Sequence, residues 1–128
     1  MPPRIVLFNH EPFALELLEQ LLKSEGYEHV DGMTELLRPT EVRALNPDLI
    51  IIVDVGVDRA KPVLRFLQQL KCNANTEQIP IILWMGSAAR GQAIKTALGA
   101  NALYPLPEPF SVAEFLSTVR EALESHGS

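Results

Sequence analysis

The chain has one cysteine, Cys72, so no disulfide can form within it and a core must hold the fold together. A lone thiol with no partner reads as inert and points to a reducing cytoplasm. Basic residues are outnumbered, 11 Lys and Arg against 16 Asp and Glu, for a net charge of -5. That balance lacks the basic footprint of a nucleic-acid-binding domain and gives no attraction to an anionic membrane. No apolar run approaches the roughly 20 residues of a membrane helix, and the N-terminus lacks a basic region followed by a long apolar stretch. There is no Gly-rich phosphate loop, no nucleophile beside a base, and no cluster of metal ligands; His29 and His126 form no constellation with His10. Nor is there a helix-turn-helix pattern, so any DNA binding is expected to belong to another chain or segment.

What is present is a core-forming pattern. Hydrophobic residues make up 47% of the 128, and that length suits residues 1–128 as a single domain. Arg4-Ile5-Val6-Leu7-Phe8 is a short apolar run that predicts a strand. From Pro12 to Ser24, Phe13, Leu17 and Leu21 recur at helical spacing beside Ala14, Leu18 and Leu22. Glu16, Glu19, Gln20 and Lys23 take the other side, Pro12 suits the first turn, and Gly26 the C-terminal cap. Tyr27 to Met33 is a weaker strand. Pro39 leaves room for a short helix over Thr40–Leu45, with Val42 and Leu45 inward, which Asn46-Pro47 stops. Leu49-Ile50-Ile51-Ile52-Val53, the most hydrophobic run, predicts a buried strand that delivers Asp54 to its end.

The second half repeats the alternation. Pro62 fits the first turn of a third helix with Val63, Phe66, Leu67 and Leu70 as its buried stripe. Ile79 to Met85 predicts a fourth strand, with Trp84 and Met85 most simply core residues. Ser87 can cap a fourth helix containing Ala93, Ile94, Ala97 and Leu98, closed by Gly99. Ala102 to Leu106 predicts a fifth strand, and Ser111 can cap a last helix with Val112, Phe115, Leu116, Val119 and Leu123 facing the core.

Five strands alternating with five helices imply an α/β fold, a doubly wound five-stranded parallel sheet covered on both faces, because parallel strands need crossover connections. Such a sheet places its functional crevice at the carboxyl ends of the strands. The residues expected there are Asn9-His10-Glu11, Asp54-Val55-Gly56, Met85-Gly86-Ser87, and Leu106 to Phe110.

Over nearly its whole length the chain resembles the receiver domain of bacterial two-component response regulators. The resemblance rests on Ile5–Phe8 with Glu11-Pro12, Pro47-Asp48-Leu49-Ile50-Ile51, Ile79-Pro80-Ile81-Ile82, Gly99-Ala100-Asn101 and Pro109-Phe110-Ser111, in that order and spacing. It implies a flavodoxin-like sheet of strand order 2-1-3-4-5 and phosphoryl transfer from a histidine kinase to an aspartate, assisted by magnesium, an acidic pair, a Thr or Ser, and a Lys. Carried over residue by residue, the acidic pair falls on Asn9 and His10, and the hydroxyl position on Met85. The Lys position falls on Glu108 or, counted from Gly99, on Leu106. Asp54 is the phosphoacceptor candidate, but the family's spacing after Pro-Asp-Leu would place that residue on Val53, and a one-residue slip turns a side chain to the other face. Magnesium prefers octahedral oxygen ligands, for which an amide and an imidazole are poor substitutes.

Structural readings stand beside these. Asn9, His10 and Glu11 can equally cap the helix that opens at Pro12, and Asp54 can cap the following turn. Tyr104 reads as a strand aromatic, near which the family places a conformational switch. Taken together, these features predict a regulatory domain of the response-regulator type that is not an enzyme. It is expected to be phosphorylation-independent, to need no cofactor, and to act by protein–protein interaction, with a histidine kinase or an output protein as partner. Receiver domains often pair through their fourth helix, fifth strand and fifth helix, here around Arg90, Lys95, Tyr104, Arg120 and Glu121, which would make a homodimer. The competing expectations are a phosphoacceptor using Asp54 with an atypical magnesium site, and a small flavodoxin-like ligand-binding domain or enzyme.

Overall fold

The computed structural model describes residues 2–55, 60–74, 76–85, 96, 103–107 and 110–126, with the backbone alone at 54, 55, 60, 61, 85, 107, 125 and 126. Its elements run in the order β1 (Arg4–Phe8), α1 (Pro12–Ser24), β2 (His29–Met33), α2 (Pro39–Leu45), β3 (Leu49–Val55), α3 (Ala60–Lys71), β4 (Ile81–Met85), β5 (Leu103–Pro107) and α4 (Val112–His126). The five strands form one sheet of order β2-β1-β3-β4-β5, and every pairing is parallel. This is the expected doubly wound arrangement. Of the expected helix between β4 and β5, only Thr96 is described, and it is helical; Ser87, Ala93, Ile94, Ala97, Leu98, Arg90 and Lys95 lie outside the described residues.

Strand alternation splits the core in two. Val6, Phe8, Ile50, Ile52, Ile81 and Leu83 face Val42 of α2 and the α3 stripe Val63, Phe66, Leu67 and Leu70. Ile5, Leu7, Leu49, Ile51, Val53 and Ile82 face Leu15 and Leu22 of α1 and Phe115, Val119 and Ala122 of α4. Burial on both faces is why the strands read as unbroken apolar runs. Trp84 packs into the second layer, edge-on to Phe110 at 4.4 Å between ring centroids.

Local chemistry fixes the ends. Pro12 opens α1, and Gly26, at φ +99°, follows its C-cap with its amide donating to the Lys23 carbonyl. Asn46 ends α2 in the left-handed region at φ 49°. Ser111 and Glu114 cap α4 reciprocally: the Glu114 amide donates to the Ser111 hydroxyl at 3.0 Å and the Ser111 amide to the Glu114 carboxylate at 3.3 Å, a capping box. Asp48, just before β3, accepts from the Arg4 amide at 2.8 Å, while its own amide donates to the Arg4 carbonyl at 2.7 Å. The Pro-Asp-Leu segment thus tethers the start of β1 to the entry of β3.

Two helix faces differ from expectation. Phe13 and Leu17 are 69% and 57% exposed, and the α1 residues that enter the core are Leu15 and Leu22, flanked by half-buried Leu18 and Leu21. An all-round leucine-rich helix leaves its buried stripe ambiguous, and the sheet selects the 15/18/22 line. Val112 is likewise 57% exposed, with Ala122 buried in its stead. Val112 is the first residue of α4.

Candidate functional site

The sheet order reverses between β1 and β3, and a pocket of about 260 Å³ opens there, at the carboxyl ends of both strands. Its apolar lining is Phe8, Ile52 and Val53 from the strand ends, Leu36 from the β2–α2 connection, and Pro62 and Val63 from the first turn of α3. Its polar lining is Asn9, His10, Thr34 and Glu35. This is the position the doubly wound topology assigns to ligands.

Asn9 is 4% exposed, one of two buried polar residues in the described chain. Its amide donates to the Met33 carbonyl at 3.1 Å, extending the β1–β2 ladder by one residue. Its Oδ1 accepts from the Glu11 amide at 3.0 Å, and Glu11 in turn accepts weakly from the Phe13 amide at 3.4 Å. Asn9 and Glu11 therefore take the capping role, in the manner of an Asx turn leading into a helix. His10 is exposed on the pocket rim.

At β3 the register against β4 shifts: Ile52 pairs with Leu83 but Val55 with Met85, so β3 spends one residue more than its partner. An extra residue of this kind re-aims the side chains that follow it. It falls on the Val53-Asp54 segment, where the family spacing and this chain differ by one. Val53 is buried, belonging to the core layer on the α1 side as well as to the pocket wall. The side chains of Asp54 and Met85 and all of Glu108 lie outside what is described, while Leu106 is buried in the core. Tyr104, on β5, is half-buried against the α1-side core layer.

The structure thus brings Asn9, His10 and Val53 together at one crevice, with Thr34, Glu35 and Leu36 as residues that sequence reasoning missed. The signal for these three was available: the same topology that points to the carboxyl end of β1 also points to that of its neighbour β2. The weak strand Tyr27–Met33 hid it. Among the described residues, no group of three or more His, Cys, Asp or Glu side chains could hold a metal ion.

No protein-family model and no curated protein matches this sequence. Solved structures do match it. The chemotaxis response regulator CheY4 of Vibrio cholerae aligns with a TM-score of 0.70 at 19% identity, over 96% of this chain and 100% of that one. A response regulator receiver domain protein (CheY-like) from Methanospirillum hungatei gives 0.71 at 17% identity, over 99% and 98%. The signal receiver domain of a signal transduction histidine kinase from Syntrophus aciditrophicus gives 0.71 at 24% identity, over 96% and 91%. The chain has the receiver-domain fold. Among the described residues its β1–β3 crevice is walled mainly by aliphatic and aromatic carbon. No helix among the described residues is long and apolar enough to cross a membrane.

Proposed function

We propose that this chain is a regulatory domain of two-component signalling that works without phosphotransfer, by contact with another protein. The observation that carries this reading is the state of Asn9. The resemblance assigns the acidic pair to Asn9 and His10, and the side-chain oxygen of Asn9 is already engaged by the Glu11 amide. An engaged amide and an exposed imidazole are an ill-fitting donor set for a hard, octahedral magnesium ion. Phosphoryl transfer depends on positioned positive charge, and the described lining of the crevice includes neither Lys nor Arg. The role is regulatory rather than enzymatic, in the cytoplasm, with a histidine kinase or an output protein as the partner class and pairing between copies as a further mode.

A second reading, phosphorylation of Asp54, has one observation in its favour. The extra residue between Ile52 and Val55 is the kind of irregularity that could carry Asp54 to the acceptor position. Incubation with acetyl phosphate and magnesium, followed by intact mass measurement, decides between them. Unchanged mass is the expected result; a phosphoryl adduct that Asp54→Asn abolishes would overturn the proposal.

A further inference from the structure

We infer that the β1–β3 crevice is a binding site for a small, uncharged, largely apolar molecule carrying one hydrogen-bond acceptor. The volume, the lining and one donor each contribute to this. At about 260 Å³ the pocket exceeds the roughly 150 Å³ apolar cavity known to take benzene, so a single ring with a short substituent fits. The walls are the side chains of Phe8, Leu36, Ile52, Val53 and Val63, the apolar surface with few polar groups that small-molecule sites share.

The donor is Asn9. Its Oδ1 is held by the Glu11 amide, which fixes the side chain; its Nδ2 makes no hydrogen bond to a described residue and is not one of the fully buried atoms, so it opens into the pocket. This leaves a 4% exposed carboxamide in the pocket wall with its NH₂ group free for a ligand. A donor fixed in place beside an apolar wall rewards a carbonyl or hydroxyl oxygen over a ligand that lacks one.

Charge sets the class. The ionisable groups in the described lining are the Glu35 carboxylate and the His10 imidazole, with no Lys or Arg, inside a protein of net charge -5. Among the described lining residues an anion would meet Glu35 with no permanent cation beside it, and on that lining a neutral molecule is favoured. A bound ligand would bridge the carboxyl ends of β1 and β3, the β2–α2 connection and the start of α3, and so couple occupancy to the surface a partner reads. This goes beyond the signalling proposal and does not rest on the loss of phosphotransfer.

The test is an NMR titration of the full chain, in chelator-treated buffer, with benzamide as the neutral probe and benzoate and inorganic phosphate as anionic ones. Benzamide should give saturable shifts centred on Phe8, Ile52 and Val63, and benzoate should bind at least tenfold more weakly. Asn9→Asp keeps the oxygen that caps Glu11 and removes the NH₂ donor, so it should weaken benzamide about tenfold, the equivalent of about 1.4 kcal/mol. Val63→Phe fills the pocket and should abolish the shifts, with thermal melting as the check on folding. Benzamide shifts that never saturate, benzoate or phosphate binding as tightly as benzamide, or an Asn9→Asp variant that folds and binds benzamide unchanged would each overturn the inference.

Discussion

The side-chain oxygen of Asn9 accepts a hydrogen bond from the Glu11 amide at 3.0 Å. The residue directly after β1 therefore serves the start of α1, and its chemistry is spent on a backbone donor. A carboxylate at the same position could make the same bond and still keep a second oxygen for a cation. An amide makes the bond and turns a donor outward. Asn9 thus offers a cation one oxygen fewer than a carboxylate would.

That relationship predicts a split between two substitutions. Asn9→Ala leaves the Glu11 amide without its partner and should lower the free energy of unfolding by about 1–2 kcal/mol. Asn9→Asp retains the oxygen, so in acid, where its buried carboxyl is neutral, it should cost less than half as much. Urea denaturation in acid measures both. Equal losses in the two variants would mean that the cap contributes nothing.

The exposed and buried leucines of α1 supply the next prediction. Leu15 is buried whereas Leu17 is 57% exposed. Leu15→Ala should destabilise by about 2–5 kcal/mol, while Leu17→Lys should stay within about 0.5 kcal/mol. Thermal or urea unfolding of the pair checks this, and a Leu17→Lys variant as unstable as Leu15→Ala would place the wrong face of the helix in the core.

Much of the scaffold was legible because its signals are local. Arg4–Phe8 and Pro12–Ser24 coincide with the expected strand and helix, and Ser111 caps the last helix as its sequence indicates. The α3 stripe of Val63, Phe66, Leu67 and Leu70 is buried as its spacing requires. Features set by neighbours were less legible. β4 begins at Ile81 rather than Ile79: Pro80 has no amide to donate, and it is its carbonyl that joins the sheet, accepting from the Ile50 amide. β3 runs two residues beyond Val53, because the register shift lets pairing resume at Val55. Of the site, the carboxyl ends of β1 and β3 could be named from topology, but the contribution of Thr34, Glu35 and Leu36 needed β2 to be placed beside β1.

Lys71 gives a pH-dependent prediction. It closes α3 half-buried, its ammonium donating to the carbonyls of Glu77 at 3.0 Å and Ile79 at 3.1 Å. Burial lowers its pKa from 10.5, and the nearby Glu77 carboxylate offsets part of that. Between the lowered folded value and 10.5 the unfolded chain binds more protons, so the stability contributed at this residue rises with pH in that window. Below the window the contribution is constant. Lys71→Met removes the ionisation. The difference in unfolding free energy, wild type minus variant, should be flat at neutral pH and shift in favour of the wild type as pH climbs toward 10.5. A difference that stays flat or falls over that range would remove burial as the controlling influence.

The last prediction addresses which residue holds the acceptor position. Val53 is buried among the α1-side core residues and also borders the crevice. If the core contact dominates, a carboxylate placed there by Val53→Asp is desolvated, and its folded pKa rises above the unfolded value of about 3.9. A raised carboxylate pKa means that the neutral acid is tolerated and the anion is not. The variant should then be closest to wild type below the unfolded pKa, losing stability as pH rises through the folded value, with a deficit of about 3 kcal/mol or more at neutral pH. Urea unfolding at a series of pH values from acid to neutral gives the answer. A Val53→Asp protein whose stability tracks the wild type across that range would have its carboxylate in solvent at the crevice. The acceptor position of the receiver fold would then fall on residue 53, and Asp54 would be a turn residue beyond it.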